Sequence, residues 1–254
     1  MATELESVVY FMDDLLGIPE HPDYRTALNG LQVEGPSEIR HVVSAVDTST
    51  LTIDAAANAG ADLMVVHHGT FWGGLEPITG RHYGRLRALF DHGIALYSAH
   101  LPLDAHPEFG NCALLTRELG FEPVERFGEF EGAPLGWRVE TKGLPLEELA
   151  DRLSTAVGGG PVHTIAGAGQ DTAVVAVVTG GGGSFITDAA SAGVDTLITG
   201  EGSHNTFTDA HELGVNVLYA GHYATETFGV RALGQELARR FEIAHTFVDV
   251  PSGL

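Results

Sequence analysis

The feature that most constrains the fold is an internal repeat. Residues 42–47 read VVSAVD and residues 175–180 read VAVVTG, and a helix-length segment follows each of them. AGADL at residues 59–63 then corresponds to AGVDT at residues 192–196, and the offset is 133 residues throughout this block. A repeat that runs without a gap predicts two similar halves, each built from alternating strands and helices.

A second block recurs in the same order. ALYSAHLPLD at residues 95–104 corresponds to VLYAGHYATE at residues 217–226, with an offset of 122. The 11 residues lost between the blocks fall where the first half has a longer loop, around Phe71–Tyr83. Two blocks in one order indicate duplication, and the alternative is chance similarity between apolar strands.

The apolar runs predict the elements of an α/β fold. Most predicted strands are nearly continuous apolar runs, which suits strands covered by helices on both faces. We expect strands at 41–46, 63–66, 94–99, 173–178, 195–199 and 215–219. We expect helices at 51–59, 83–91, 111–119, 146–156, 185–192 and 226–240, and a first helix that begins at a Thr3–Glu6 capping box. The predicted domains are a first half at 1–120, a short connector at 121–172 with one strand, Leu135–Glu140, and a helix, and a second half at 173–254.

Charge and cysteine content exclude several classes of function. The 254 residues include 34 acidic and 13 basic side chains, for a net charge of −21, and Lys142 is the only lysine. Such a field repels the phosphates of a nucleic-acid duplex. It is typical of a salt-adapted cytoplasmic protein, although an ordinary acidic protein is the alternative. The single cysteine, Cys112, excludes intramolecular disulfides and multi-cysteine metal sites.

The apolar stretches are also too short to cross a membrane. They have the lengths of strands, far below the roughly 20 residues that a bilayer span requires. The N-terminal sequence is acidic where a signal peptide is basic, so we expect neither a transmembrane segment nor secretion.

Histidines and carboxylates collect after three predicted strands. The sequence places His67 and His68, then His100 with Asp104, then His222 with Glu226 directly after strands of the two halves. Because ligand sites of open α/β sheets lie at the carboxyl ends of strands, we expect these side chains at one rim. The alternative for any single histidine is a hydrogen-bonded loop residue.

The spacing of these residues indicates how they could bind metal. Adjacent side chains of a strand point in opposite directions, so His67 and His68 suit two neighbouring ions better than one. His222 and Glu226 are four residues apart and would share one face of a helical turn. Pro102 predicts a loop between His100 and Asp104. Two histidines from one arm, Asp104 from another, and His222 with Glu226 form the composition of a dinuclear divalent site, and mixed nitrogen and oxygen ligands favour Zn, Mn, Fe or Co over Ca.

Two further motifs are less specific. The glycine-rich turn at 179–184 could bind an anion through backbone N–H groups or could be a flexible turn, and it lacks the lysine of a P-loop. The segment 199–204 lies at the repeat position of the His67–His68 pair, with Glu201 at the position of His68. Its Glu201 and His204 are either pocket residues or hydrogen-bonded loop residues.

Together these motifs resemble those of the Nif-three-like family, the GTP cyclohydrolase I type 2 homologues. The resemblance is carried by residues 66–69 (VHHG), residues 97–111 with His100 and Asp104, the turn at 180–183, residues 199–204, and residues 221–226. It implies that two divalent ions are bound by His67, His68, Asp104, His222 and Glu226, with Glu226 bridging. It implies that His100 lies beside the ions, where it supports a ligand or transfers protons, whereas the internal repeat alone would make His100 a ligand. It also implies the compact form without an inserted middle domain, in a ring-shaped homohexamer.

This resemblance leads to two functional expectations. The first is a metal-dependent hydrolase of a nucleotide or phosphorylated small molecule, either opening the GTP ring at C8 or cleaving a phosphoester, with His100 or Glu201 moving protons. The second is a non-catalytic protein that binds or delivers metal, or a regulatory scaffold.

Overall fold

The computed structural model describes residues 2–254, which form two compact units. The first unit contains the chain up to Leu103 together with Gly229–Val250, and the second contains Asp104–Phe228 and Pro251–Leu254. The chain therefore leaves the first unit directly before Asp104 and returns to it at Gly229.

The elements alternate between strands and helices along most of the chain. Up to residue 98 they are β1 (Thr3–Glu4), α1 (Leu5–Leu16), β2 (Gly30–Val33), β3 (Glu38–Ile39), β4 (His41–Asp47), α2 (Thr50–Ala59), β5 (Leu63–His68), α3 (Gly80–His92) and β6 (Ala95–Ser98). The remaining elements are α4 (Leu101–Asp104), α5 (Asn111–Glu118), β7 (Glu125–Phe130), β8 (Ala133–Pro145), α6 (Leu146–Ala156), β9 (His163–Ile165), β10 (Asp171–Val177), a 3-10 turn (Gly182–Phe185), α7 (Ile186–Ser191), β11 (Thr196–Thr199), α8 (Thr206–Leu213), β12 (Asn216–Tyr219), α9 (His222–Thr225), α10 (Thr227–Phe241) and β13 (Ala244–Phe247).

The main sheet of the first unit has the strand order β13-β4-β5-β6-β2. Neighbours among β13, β4, β5 and β6 are parallel, and β2 is antiparallel to β6. Met64 and Val66 of β5 are fully buried in a cluster with Ile53 of α2 and Leu89 of α3. Because β5 and β6 are parallel neighbours, the residues that follow them emerge at the same edge of this sheet.

The sheet of the second unit has the strand order β7-β8-β10-β11-β12-β9. β10, β11 and β12 are parallel, while β8 and β9 are antiparallel to their neighbours. Val175, Ile198 and Leu218 of the three parallel strands are fully buried with Leu149 and Leu153 of α6. The predicted α/β class, with two similar halves of mixed sheets flanked by helices, is thus confirmed.

Three local predictions were wrong. No side chain caps the first helix, because Thr3 instead pairs with Ile39 in a two-stranded sheet. The segment after His100 is a short helix, not a loop, because Pro102 stands in its first turn, where the missing N–H leaves no backbone bond unmade. The stretch 121–172 contributes three strands to the second sheet, not one, because β7 and β9 carry exposed polar residues and so lack an apolar run.

Helix length and polarity also bear on membrane insertion. Within residues 2–254 no helix combines the length and the apolar character needed to cross a bilayer.

Candidate metal centre

Three histidines of the first unit lie together at the edge where β5 and β6 end. His67 and His68 are the last two residues of β5, and His100 follows β6 by two residues. The ring centroids are 4.8 Å apart for His67 and His68, 5.0 Å for His67 and His100, and 5.6 Å for His68 and His100. Each ring offers a nitrogen within 4.8 Å of those of the other two, so the three could hold a metal ion.

The Nδ1 atom of each of these rings is hydrogen-bonded to a protein oxygen. His67 Nδ1 lies 2.9 Å from the carbonyl oxygen of Ala99, and His68 Nδ1 lies 2.9 Å from Asp47 Oδ1. His100 Nδ1 lies 2.9 Å from Asp23 Oδ1. Because carbonyl and carboxylate oxygens only accept, each Nδ1 is the donor, and the lone pair of a neutral ring is on Nε2. Histidines that bind metal in proteins are oriented in this way.

The two histidines of β5 lie closer together than strand alternation predicts. Their Cβ atoms leave a strand on opposite faces, yet their rings are in contact. His68 is the last residue of the strand, and its ring is hydrogen-bonded to Asp47, the residue paired with it on the neighbouring strand β4. His67, in contrast, is completely buried. The pair can therefore present both imidazoles to one region.

Two aromatic residues border the histidines. The centroid of the Trp72 ring lies 4.5 Å from that of the His100 ring, which is perpendicular to it, and 5.8 Å from that of the His68 ring. The centroid of the Tyr24 ring lies 5.8 Å from that of His100 and 6.2 Å from that of Trp72. Trp72 and Tyr24 are 39% and 52% exposed, so this side of the cluster combines imidazole nitrogens with accessible aromatic surface.

The donors of the second unit are carboxylates with one imidazole. Glu226 Oε1 lies 3.1 Å from His222 Nε2, and an oxygen of Asp104 lies within 4.8 Å of one of Glu226. Asp104 and Glu226 are 5% and 2% exposed. Buried carboxylates are costly unless they are hydrogen-bonded, paired or bound to a cation, so this pair is suited to a metal ion.

Neighbouring polar groups support the Asp104 carboxylate. Asn111 Nδ2 donates to Asp104 Oδ1 at 2.8 Å, and Thr179 Oγ1 donates to the same oxygen at 3.2 Å. The Cys112 thiol is buried beside them, and burial together with the charges of Asp104 and Glu226 raises its pKa to about 12. Cys112 is therefore a protonated thiol at neutral pH.

His222 is held between two glutamates. Its Nδ1 donates to Glu201 Oε1 at 2.8 Å, while its Nε2 faces Glu226. Burial lowers the pKa of His222, but the hydrogen bonds and charges of Glu226 and Glu201 outweigh burial and raise it to about 9. Glu201 thus has the same place toward His222 as Asp47 has toward His68. His204, the other candidate pocket residue of this segment, lies in an exposed turn.

The glycine-rich turn brings backbone close to these donors. Gly180 has a φ of +64°, and a Cβ atom there would lie 2.1 Å from Glu226 Oε1. Its N–H donates to Thr225 Oγ1, and the N–H groups of Gly182 and Gly183 donate to Thr199 Oγ1 and the Glu201 carbonyl. These three N–H groups therefore bind protein acceptors, and the turn lies against the Glu226 carboxylate.

Two supporting residues were not identified from the sequence. Asp47 ends the first repeated strand, in the position where the second half has Gly180. A carboxylate at a strand end, where the other half has glycine, could have indicated a residue that supports the site. Asp23 lies in the irregular segment between α1 and β2, where no periodicity or repeat marks it.

Comparisons with known proteins agree with the motifs. The model of the Duf34/NIF3 (NGG1p interacting factor 3) family matches residues 3–252. A Deinococcus radiodurans protein named GTP cyclohydrolase 1 type 2 homolog is 43% identical over 251 residues, covering 98% of this chain and 94% of the relative. A Halobacterium salinarum protein of the same name is 41% identical, covering 99% of this chain and 100% of the relative.

Solved structures share the complete fold. A Thermus thermophilus protein has a TM-score of 0.89 at 40% identity, covering 99% of this chain and 100% of its own. Reduced HcgD from Methanocaldococcus jannaschii has a TM-score of 0.86 at 25% identity, covering 98% and 99%.

Proposed function

Since the chain belongs to the Duf34/NIF3 family, we propose that it binds two divalent metal ions and hydrolyses a nucleotide or a related phosphorylated small molecule. The ligands in this proposal are His67 and His68 from the first unit, and Asp104, His222 and Glu226 from the second. The relatives' name, GTP cyclohydrolase 1 type 2 homolog, makes GTP the first candidate substrate.

The arrangement of the imidazoles is the observation that carries this proposal. In the three histidines proposed as ligands, His67, His68 and His222, Nδ1 is hydrogen-bonded to an oxygen acceptor, so Nε2 is the nitrogen that would coordinate a metal ion. Buried carboxylates supply the negative charge that divalent ions require. Imidazole with carboxylate fits Zn, Mn, Fe or Co, so the donor set fits the metals expected from the sequence.

Two divalent ions would supply Lewis-acid chemistry, by activating water and stabilising charge on the attacked group. The chain's own residues would do the rest. His67, His68, Asp104, His222 and Glu226 would hold the ions in place. His100 would move a proton at Nε2. Glu201, which accepts a hydrogen bond from His222, would orient that ligand, and proton transfer by Glu201 stays a prediction.

The first test is elemental analysis of the wild-type protein, purified without chelator, with a screen of hydrolysis. About two transition-metal ions per chain and turnover of GTP or another nucleotide would support the proposal. Ring opening is followed by purine absorbance and phosphoester cleavage by released phosphate. His100→Gln should keep the metal and lose turnover, whereas the exposed His92→Gln should change neither.

Other outcomes of the same test separate the alternatives. Two ions that exchange readily, with no substrate-dependent rate, would favour a metal-delivery or regulatory protein. The absence of bound metal, with none regained after Zn, Mn or Fe is added, would contradict both functions.

We also propose that the chain forms a homohexamer and works in a salt-rich cytoplasm. The hexamer follows from the resemblance to the family, and light scattering in solution tests it.

The salt adaptation follows from the net charge of −21, because screening reduces self-repulsion. The unfolding temperature should therefore rise between low salt and molar KCl, and an unchanged value would contradict salt adaptation.

A further inference from the structure

His100 has a carboxylate partner that differs from the partners of the other histidines. Asp23 accepts the hydrogen bond of His100 Nδ1 with both oxygens, at 2.9 and 3.1 Å. The side chains of Asp23 and His100 are 6% and 9% exposed. They therefore form a buried Asp–His pair within the first unit.

Several other donors hold this carboxylate in place. The Tyr24 N–H donates to Asp23 Oδ1 at 2.7 Å, and Asn29 Nδ2 and the Leu101 N–H donate to Oδ2 at 2.8 and 3.1 Å. Asn29 Oδ1 in turn accepts a hydrogen bond from the backbone N–H of His100 at 2.8 Å. Burial raises the pKa of Asp23, but the hydrogen bond and charge of His100, with the other donors, outweigh burial and keep the pKa below its usual value.

The partners of the proposed metal ligands are simpler. His67 donates to one backbone carbonyl, that of Ala99. His68 donates to Asp47, whose side chain is 47% exposed and accessible to water. Either arrangement is enough to orient a neutral imidazole. The buried Asp23 carboxylate, which several hydrogen bonds hold ionised, orients the ring and has a second effect. It stabilises the positive charge that appears when an imidazole accepts a proton.

We propose that Asp23 is a positioning residue that fixes His100 with hydrogen on Nδ1 and the lone pair on Nε2, as a proton acceptor rather than a metal ligand. This inference rests on the proposed hydrolase function. When water attacks the substrate, an O–H bond of the water breaks and an Nε2–H bond forms. The oxygen keeps the electron pair and uses it to bond to the substrate. In a phosphoester the P–O bond to the leaving group then breaks and its electron pair leaves with that oxygen, whereas in the guanine ring the C8=N7 π pair moves onto N7; the leaving oxygen or N7 afterwards takes up a proton. The Nδ1 hydrogen stays on His100, and Asp23 stays ionised.

The test compares Asp23→Asn with Asp47→Asn, which makes the same chemical change beside His68. Asp23→Asn should keep the wild-type metal content, and its turnover should fall by about 100-fold or more at an unchanged KM. Asp47→Asn should instead weaken metal binding by about 10- to 100-fold. Metal loss in Asp23→Asn equal to that in Asp47→Asn would make His100 a ligand and overturn the inference.

A double mutant and a spectroscopic measurement complete the test. Because Asp23 acts through His100, turnover in Asp23→Asn/His100→Gln should be no lower than in His100→Gln alone. Solid-state ¹⁵N NMR of histidine-labelled, metal-free protein reports the tautomer directly, with His100 assigned from the His100→Gln spectrum. The wild type should show hydrogen on Nδ1, and Asp23→Asn should show a mixture of both tautomers.

The NMR measurement keeps this inference separate from the proposed function. If the wild type hydrolyses no nucleotide, the hydrolase proposal fails while the tautomer still tests the role of Asp23. An unchanged His100 tautomer in Asp23→Asn would overturn the inference even in an active enzyme. If Asp23→Asn does not fold, Asn29→Ala tests the same positioning. This variant removes one donor to Asp23 and the acceptor of the backbone N–H of His100.

Discussion

The two units offer different kinds of metal donor. The first offers three imidazoles bordered by Trp72, and the second offers buried Asp104 and Glu226 with one imidazole, His222. Imidazoles are neutral ligands that need only orientation, which nearby oxygens provide. The two carboxylates concentrate negative charge in a buried place, and a cation offsets this charge. The first unit thus offers neutral nitrogen donors whose orientation is fixed, and the second offers mainly negatively charged oxygen donors.

The largest expected effect is therefore the loss of a carboxylate from the second unit. Glu226→Gln keeps the shape of the side chain and removes its charge. Metal affinity should fall by more than about 100-fold, beyond the roughly 10- to 100-fold cost of losing a residue that hydrogen-bonds to a ligand. Competition with a chromophoric chelator measures this affinity. Glu212→Gln, at an exposed position of α8, should bind metal as the wild type does. Equal affinities in the two variants would mean that Glu226 is not a ligand.

Removal of an imidazole from the first unit should have a smaller effect. His68→Ala removes one neutral ligand and leaves the carboxylates intact, so metal content should fall from about two ions per chain toward one. Elemental analysis per chain measures it. The combined His68→Ala/Glu226→Ala variant should bind almost none. Full metal retention in that variant would end the interpretation as a dinuclear site.

The repeat and its flanking motifs predicted much of this arrangement. Each strand end is indicated both by the end of an apolar run and by the matching position in the other half. The apolar runs located β4, β5, β6, β10, β11 and β12 within a few residues, and the residues after them included every donor described above. The supports were harder to predict. Asp23 reaches His100 across 77 residues from a segment without periodicity, and only the folded chain brings the two together. The hydrogen bond from His222 to Glu201 is likewise a contact that the sequence position of Glu201 does not reveal.

A steric change in the second unit tests whether backbone approach matters for the carboxylates. Gly180→Ala would put a Cβ atom 2.1 Å from Glu226 Oε1, so the carboxylate must move. We expect metal affinity to fall by about 10-fold, an effect comparable to the loss of a residue that hydrogen-bonds to a ligand. Left-handed backbone strain adds about 1–2 kcal/mol of destabilisation.

A matched glycine separates the strain from the steric clash. Gly193 has a φ of +69°, close to the +64° of Gly180, but a Cβ atom added at Gly193 would meet no atom within 4 Å. Gly193→Ala should therefore lose similar stability in urea unfolding and keep wild-type metal affinity. If Gly180→Ala also keeps that affinity, the position of the Glu226 carboxylate is not set by the turn.

The smallest effect concerns a histidine of the first unit outside the donor set. His245 Nε2 lies 2.8 Å from Ser44 Oγ, and burial, together with the charge of His41, lowers the pKa of His245. Since this pKa is lower in the folded than in the unfolded chain, the unfolded chain binds more protons below the ordinary histidine pKa of about 6.5. His245 should therefore cost stability as the pH falls below that value. Urea unfolding at pH 7.5 and 5.5 should show a smaller loss of stability for His245→Gln than for the wild type. The control His92→Gln, at an exposed position, should behave as the wild type does. The same loss of stability in His245→Gln and the wild type would mean that His245 does not contribute to the acid sensitivity of the first unit.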